Sequence, residues 1–228
     1  MHIGGWQKSS LLDYPGKISA IIFTQGCNFA CPYCHNPDLV KKTSDSSIEE
    51  SEVFDFLKTR IGKLDAVVIS GGEPCLQADI IDFIKKIKNM GFLVKLDTNG
   101  SYPGVLQLLL AQKLIDYVAM DIKAPIEKYK EVSCYKEEPK NILKSIEILK
   151  NSNIDYEFRT TVVKSQLDYA DFEHIGAMIE GSGIYYLQKF VPTRTLNRFF
   201  ANQTTYSDEE FEQIKNDLEK HIKKVALR

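Results

Sequence analysis

The chain has 228 residues, 43% of them hydrophobic, enough to bury one sizeable core. Its 29 Lys and Arg stand against 31 Asp and Glu, and a net charge of −2 gives no electrostatic reason to expect nucleic acid or an anionic membrane as partner. No run approaches the ~18 apolar residues that span a bilayer, and no charged leader or cleavage site accompanies the short apolar run at 18–23, so a soluble, cytoplasmic protein is expected.

The first strand is predicted over 18–24, in a β-branched run apolar on both faces. Beyond Gln25-Gly26 lie Cys27, Cys31 and Cys34, three of the five cysteines within eight residues. An odd, clustered set points to metal or redox chemistry, because disulfide frameworks belong to small secreted domains. Pro32 disfavours one uninterrupted helix and favours a loop that wraps its thiols around a point. Three thiolates with no fourth protein partner suit a cubane with one open iron. Three alternatives stand beside it: a zinc site completed by His35, a glutaredoxin-like dithiol using Cys31 and Cys34 alone, and inert buried cysteines.

A helix is predicted from the capping-box pattern Ser47-Ile48-Glu49-Glu50 to about Gly62, with Val53, Phe54 and Leu57 on its apolar face. Strand 66–70 leads into Ser70-Gly71-Gly72-Glu73-Pro74, where paired glycines let backbone approach a ligand and Glu73 can accept from an amine. Alone, that pattern is more simply a tight strand-to-helix turn. A helix over 78–90, a strand over 92–97, a helix over 103–113 and a strand over 117–121 follow. The two strands end in Leu96-Asp97-Thr98-Asn99-Gly100 and Met120-Asp121-Ile122-Lys123, which singly read as turn chemistry and solvated charge. The remaining helices are predicted over 139–150, 168–180 and about 207–226, and the remaining strands over 156–163 and 185–190. Arg159 stands in an otherwise apolar strand and should be paired, within the fold or to a carboxylate ligand. Gln188 and Lys189 are weaker cases of the same kind.

About six βα units are too few for a closed eight-stranded barrel. An α/β fold of the partial (βα)6 TIM type is expected, with a doubly wound sheet as the other arrangement; both put ligands at the carboxyl ends of the strands. In a parallel fold those ends share one mouth. The thiols, the Gly-Gly-Glu turn, Asp97, Asp121, Lys123 and Arg159 would then surround one polar ligand beside a metal cluster.

Taken together, these motifs resemble the radical S-adenosylmethionine (SAM) superfamily. Cys27-x3-Cys31-x2-Cys34 with Tyr33 before the last cysteine is similar to its cluster motif, and Gly71-Gly72-Glu73-Pro74 to its SAM-amine motif. The stretches LLDYPGKISAIIFTQGCNFACPYCHNP, LDTNG, DIK and FRTTVV narrow the likeness to activating enzymes of glycyl radical enzymes, above all those of anaerobic ribonucleoside-triphosphate reductase, with pyruvate formate-lyase activating enzyme also similar. The resemblance runs from Gly4 to about Pro192. It implies one radical SAM domain over 1–228, with a core over about 15–192 and a C-terminal helix over about 207–226. It implies that Cys27, Cys31 and Cys34 ligate a [4Fe-4S] cluster whose fourth iron is chelated by SAM. Backbone at Tyr33 would lie against adenine, the Gly71–Glu73 turn would hold the amine, Lys123 the carboxylate, and Arg159 would face SAM. Asp97, Thr98, Asp121 and the Ala119 carbonyl would build a monovalent-cation site, and Asn99 belongs to the same SAM-facing group. The implied activity is reductive cleavage of SAM and abstraction of a glycine Cα hydrogen in a partner protein. Flavodoxin or ferredoxin would be the electron donor. A small-molecule radical SAM enzyme of the deazaguanine-forming kind, or a zinc or dithiol binding module, is the alternative. Cys75 reads as a small buried filler, Cys134 as a spare thiol in a polar loop, and His35 as a hydrogen-bonding neighbour of the cluster or a surface residue.

Overall fold

In a computed structural model of the chain, which describes residues 1–41 and 48–228, one eight-stranded sheet runs in the order β1-β2-β3-β4-β5-β6-β7-β8. The strands are β1 (Ile3–Ser10), β2 (Ser19–Thr24), β3 (Ala66–Gly71), β4 (Leu93–Thr98), β5 (Tyr117–Asp121), β6 (Asp155–Val162), β7 (Tyr185–Lys189) and β8 (Val225–Leu227). Only β1 is antiparallel to its neighbour; β2 to β8 are all parallel. The sequential order excludes a doubly wound sheet, whose strand order reverses. The sheet is an open partial barrel, as expected, but with two strands more than the six predicted.

Both additions have a physical reason for being hard to see. β1 carries Gly4-Gly5 and the polar run Gln7 to Ser10, so it lacks the apolar alternation of a strand; its register on β2, Ile3↔Thr24 to Ser10↔Ser19, supplies what its own residues do not. β8 is three residues long. The helix expected to reach 226 ends at Leu218, and the chain returns to lay Tyr185↔Val225 to Leu187↔Leu227 along β7.

Among the described residues the α-helices are α1 (Pro37–Lys41), α2 (Glu50–Lys58), α3 (Ile80–Asn89), α4 (Pro103–Ala111), α5 (Tyr129–Ser133), α6 (Lys140–Lys150), α7 (Tyr169–Met178) and α8 (Asp208–Leu218). The short α1 and α5 were not anticipated. The capping box expected at Ser47 falls partly outside the described residues; α2 begins at Glu50 with Glu49 at its cap and no side-chain cap bond. The Ser207/Glu210 box does form at α8, and an Asp168/Asp171 box opens α7.

The parallel strands are buried on both faces, and the two faces do different things. Val67, Ile69, Val94, Leu96, Val118 and Met120 join Leu57, Phe83, Ile84, Leu109, Ile146 and Phe172 in the main core beneath the helices. On the concave face Tyr14, Ile21, Ala66, Val68 and Tyr117 form a second, smaller apolar cluster. By the period of two, Lys95 and Asp97 on β4, Asp121 on β5, and Glu157 and Arg159 on β6 share that concave face. At the far edge Arg228 donates to buried Glu157 at 3.0 Å and stacks 3.5 Å over Tyr186, tying the end of the chain to the trough.

Candidate functional site

The carboxyl ends of the strands meet at a cavity of about 250 Å³. Its lining includes Cys27, Cys31, Tyr33, Cys34, Gly71, Gly72, Asp97, Thr98, Asn99, Asp121, Lys123 and Arg159, so motifs scattered over more than 130 positions of sequence share one mouth. Phe29, His35, Ser70, Thr161 and Gln188 line it as well. Lys189 points elsewhere, pairing with Asp208.

The cysteine segment is a wrapping loop held from three sides. Gly26 donates to the Leu39 carbonyl at 2.7 Å, and Ala30 to that of Ser133, at the end of α5, at 3.0 Å. Leu196 and Asn197 of the β7–α8 connection donate to the carbonyls of Cys34 and Pro32, both at 2.9 Å. Phe29 packs between Tyr135 and Tyr129. All three thiols are free, with Cys31 buried and the other two half-buried. The Phe29 amide and the Asn99 side-chain amide point at the Cys27 sulfur, at 3.4 and 3.9 Å. Asn99 is itself held by Asn28 and Ser101. His35 hydrogen-bonds the Val191 carbonyl at 3.1 Å and stacks on Phe190, so its ring is already committed.

Burial pushes the Cys27 thiol up to about 12, helped by the nearby Glu73 charge, and burial pushes Cys31 up to about 11 despite Lys123. Exchange-active thiols are shifted the other way, so Cys31, the first thiol of a Cys31/Cys34 dithiol, does not have a glutaredoxin's electrostatics. Among the described residues no three His, Cys, Asp or Glu side chains converge on a point as one ion requires. Three thiols line one cavity, while His35, the fourth ligand a zinc site would need, is turned to the Val191 carbonyl and Phe190. The donor set therefore fits an iron–sulfur cluster better than a closed zinc site.

The Gly71-Gly72 turn sits against the base of the cysteine loop. Gly72 and Glu73 donate to the carbonyls of Thr24 and Gly26 at 2.9 and 2.8 Å. A Cβ on Gly72 would meet the Gly26 oxygen at 2.1 Å, and Gly71 has φ +112°. The close approach the glycines permit is thus made first to the chain's own backbone. Gly72→Ala should destabilise the protein by about 1–3 kcal/mol through overpacking, read as a lower denaturant midpoint.

Glu73 is kept out of the cavity that Gly71 and Gly72 line. It is 0% exposed, and its carboxylate accepts from Thr98 Oγ1 at 2.7 Å, Asn99 N at 2.7 Å and Cys75 N at 3.0 Å. Burial nets its pKa upward against those three bonds. Its visible work is to lock the β3 turn to the end of β4. Cys75 is the buried filler beside it, and Cys134 is exposed at a left-handed φ of 52° beyond α5.

Across the floor of the mouth runs a chain of partly buried charge. Arg159 Nε donates to Asp121 Oδ1 at 2.9 Å, and its Nη1 to Asp97 Oδ2 at 3.3 Å. Lys95 holds Asp97 Oδ1, and Lys123 holds Asp121 Oδ2 at 2.9 Å. Against the upward push of burial, Arg159 and Lys123 hold the Asp121 carboxyl down to about 2. Lys123 itself is raised by Asp121 despite burial.

A family model for the radical SAM superfamily matches residues 21–178. The chain belongs to the radical SAM superfamily. A Methanocaldococcus jannaschii protein named as a candidate glycyl-radical enzyme activating enzyme is 40% identical over 234 residues, covering 99% of this chain and 95% of its own. Pyruvate formate-lyase-activating enzyme of Clostridium pasteurianum is 34% identical over 122 residues, about half of each chain. Among solved structures, Streptococcus suis SuiB bound to its precursor peptide superposes with a TM-score of 0.69 at 13% identity, over 91% of this chain and 48% of that one. A domain of a pyruvate-formate lyase-activating enzyme from Bacteroides vulgatus gives 0.54 at 16% identity, over 72% and 98%. At such identities the superpositions speak for the fold alone. Membership in this superfamily, within the glycyl-radical-enzyme activating branch, makes the chain an enzyme of the oxidoreductase type.

Sequence reasoning missed Lys95, and it missed Asn28 and Ser101 as the partners that brace Asn99. Lys95 had a signal: a lysine two residues before Asp97 in an apolar strand lies on the same face as that carboxylate. Asn28 and Ser101 had none, because only the fold brings them to Asn99.

Proposed function

We propose that this enzyme cleaves SAM reductively at a [4Fe-4S] cluster and installs a radical on a glycine of a partner glycyl radical enzyme, with anaerobic ribonucleoside-triphosphate reductase as that partner. The observation that carries the reading is the convergence of Cys27, Cys31 and Cys34 with the Gly71-Gly72 turn and Lys123 in one cavity at the strand ends. The 40% identity to the Methanocaldococcus protein along nearly its whole length supports it.

In this reading Cys27, Cys31 and Cys34 hold the cluster, and backbone at Tyr33 meets adenine. The methionyl amine goes to the backbone of Gly71 and Gly72, because the Glu73 carboxylate is already spent on Thr98, Asn99 and Cys75. Lys123 and Arg159 face the methionyl carboxylate, and Asn99 orients the Cys27 sulfur. When bound, the cluster and SAM supply one-electron cleavage of the sulfonium and a 5′-deoxyadenosyl radical able to take the glycine Cα hydrogen. The protein's own share is orientation and dryness. The whole of 1–228 would act as one domain in the cytoplasm, fed by a flavodoxin or ferredoxin. Among the described residues no helix is long and apolar enough to cross a membrane.

The test has two stages. Anaerobically reconstituted protein with dithionite and SAM should release methionine and 5′-deoxyadenosine. Adding the candidate reductase should then give a glycyl doublet in electron paramagnetic resonance. Protein that takes up one zinc and no iron would overturn the reading. Cleavage of SAM with no doublet from any candidate partner would move it to the small-molecule class.

A further inference from the structure

The residues expected to hold a monovalent cation do not fit one. Asp97, Thr98, Asp121 and the Ala119 carbonyl were the expected ligands, and all four carboxylate oxygens among them already accept from protein cations. Asp97 Oδ1 takes Lys95, and Asp97 Oδ2 takes Arg159, with Ser70 Oγ also at 3.3 Å. Asp121 Oδ1 takes Arg159, and Asp121 Oδ2 takes Lys123. The Thr98 hydroxyl is turned to Glu73 at 2.7 Å and receives the Gly100 amide at 3.1 Å. Lys95 is built in permanently: it is 2% exposed, on the concave face of β4, with its ammonium also 5.9 Å over the Tyr117 ring.

Charge bookkeeping points the same way. Lys95, Lys123 and Arg159 oppose Asp97 and Asp121, leaving one positive charge over within this directly bonded set, with Glu73 standing behind Thr98. Glu157 lies 4.0 Å from Arg159 but is held at 3.0 Å by Arg228. A metal cation here would sit among three like charges. The surplus suits an anion, and the methionyl carboxylate of SAM is one.

We propose that Lys95, acting through Asp97 and Arg159, takes the place of a soluble monovalent cation, so that SAM binding by this enzyme is independent of sodium and potassium. Lys95 is a positioning residue, and the inference rests on the reading that this mouth takes SAM. The experiment measures SAM binding to the reconstituted holoenzyme in tetramethylammonium chloride, with potassium or sodium chloride substituted at constant ionic strength. Wild-type affinity should stay within about two-fold, whereas a coupled cation site would tighten it by about five-fold or more. A potassium- or sodium-dependent gain of that size overturns the proposal and leaves the SAM reading intact. A holoenzyme that binds no SAM in any salt sinks the reading itself, and this inference with it. Lys95→Met removes the charge at similar length; SAM binding should weaken and become responsive to potassium. Lys95→Arg should restore indifference to the salt. A Lys95→Met protein that binds SAM as tightly as wild type, with no response to potassium, also overturns the role of Lys95. Should that variant not fold, the wild-type titration decides the question.

Discussion

Cys27→Ala protein, reconstituted with iron and sulfide, should hold no [4Fe-4S] cluster and form no 5′-deoxyadenosine. Cys31→Ala would fail under a dithiol reading as well, so Cys27 is the position that discriminates. A dithiol enzyme would use Cys31 and Cys34 and should survive the loss of Cys27. The surroundings of Cys27 argue that it will not. Two N–H donors, from Phe29 and Asn99, are aimed at its sulfur, and Asn99 is braced by Asn28 and Ser101. Such support is expected around a ligand sulfur and is wasted on a bystander. Loss of an outer partner costs about 10–100-fold in metal affinity or activity, and loss of the ligand itself should cost more. Iron content and the visible absorption of the reconstituted protein check the first half, and chromatography of the SAM cleavage products the second. Near-normal iron with retained SAM cleavage would remove Cys27 from the ligand set.

The parts of the fold legible in the sequence were those whose burial leaves an unambiguous pattern. β3 and β5 are apolar on both faces because helices cover one side and the barrel interior the other, so they read as strands without help. β1 is a strand only because β2 offers it an edge, and no local pattern of Gly4-Gly5 announces that. In the site, residue types that carry chemistry were visible because each stood at the end of an apolar run. What the sequence could not divide was labour within a motif. Gly71, Gly72 and Glu73 read as one unit facing an amine; in the fold the glycines line the cavity while the carboxylate turns inward to Thr98 and Asn99. Asp97 and Asp121 singly read as turn chemistry and solvated charge, and the resemblance made them ligands of a monovalent cation. Only the fold shows Lys95 and Arg159 on the same concave face, bonded to those carboxylates.

That charge chain makes Arg159→Met the second large effect. The guanidinium, on a side chain 13% exposed, bridges two strands by holding Asp121 at 2.9 Å and Asp97 at 3.3 Å. Removing one member of a buried ion pair costs about 3–5 kcal/mol near neutral pH when its partner is left charged and unpaired. Here Lys95 and Lys123 remain, each on one carboxylate, so a loss at or below the lower end of that range is expected. The pH dependence separates charge from packing. Asp121 titrates near 2 in the folded protein, below its unfolded value of about 3.9, so its contribution to stability is present above that unfolded value and lost as pH falls through 2. In Arg159→Met the folded value should move up towards the unfolded one, and part of the contribution disappears at all pH values where it existed. The gap in stability between wild type and variant should therefore be widest near neutral pH and should narrow as pH falls below the unfolded value of Asp121 towards 2. Urea denaturation followed by circular dichroism near neutral pH and at about pH 3, just below the ordinary Asp value, measures both gaps. An equal loss at the two pH values would mean that Arg159 acts by filling space. A loss that shrinks in acid shows the guanidinium acting on Asp121 by charge, and Asp121 is one of the two carboxylates whose bonds to Lys95, Lys123 and Arg159 underlie the proposed indifference to sodium and potassium.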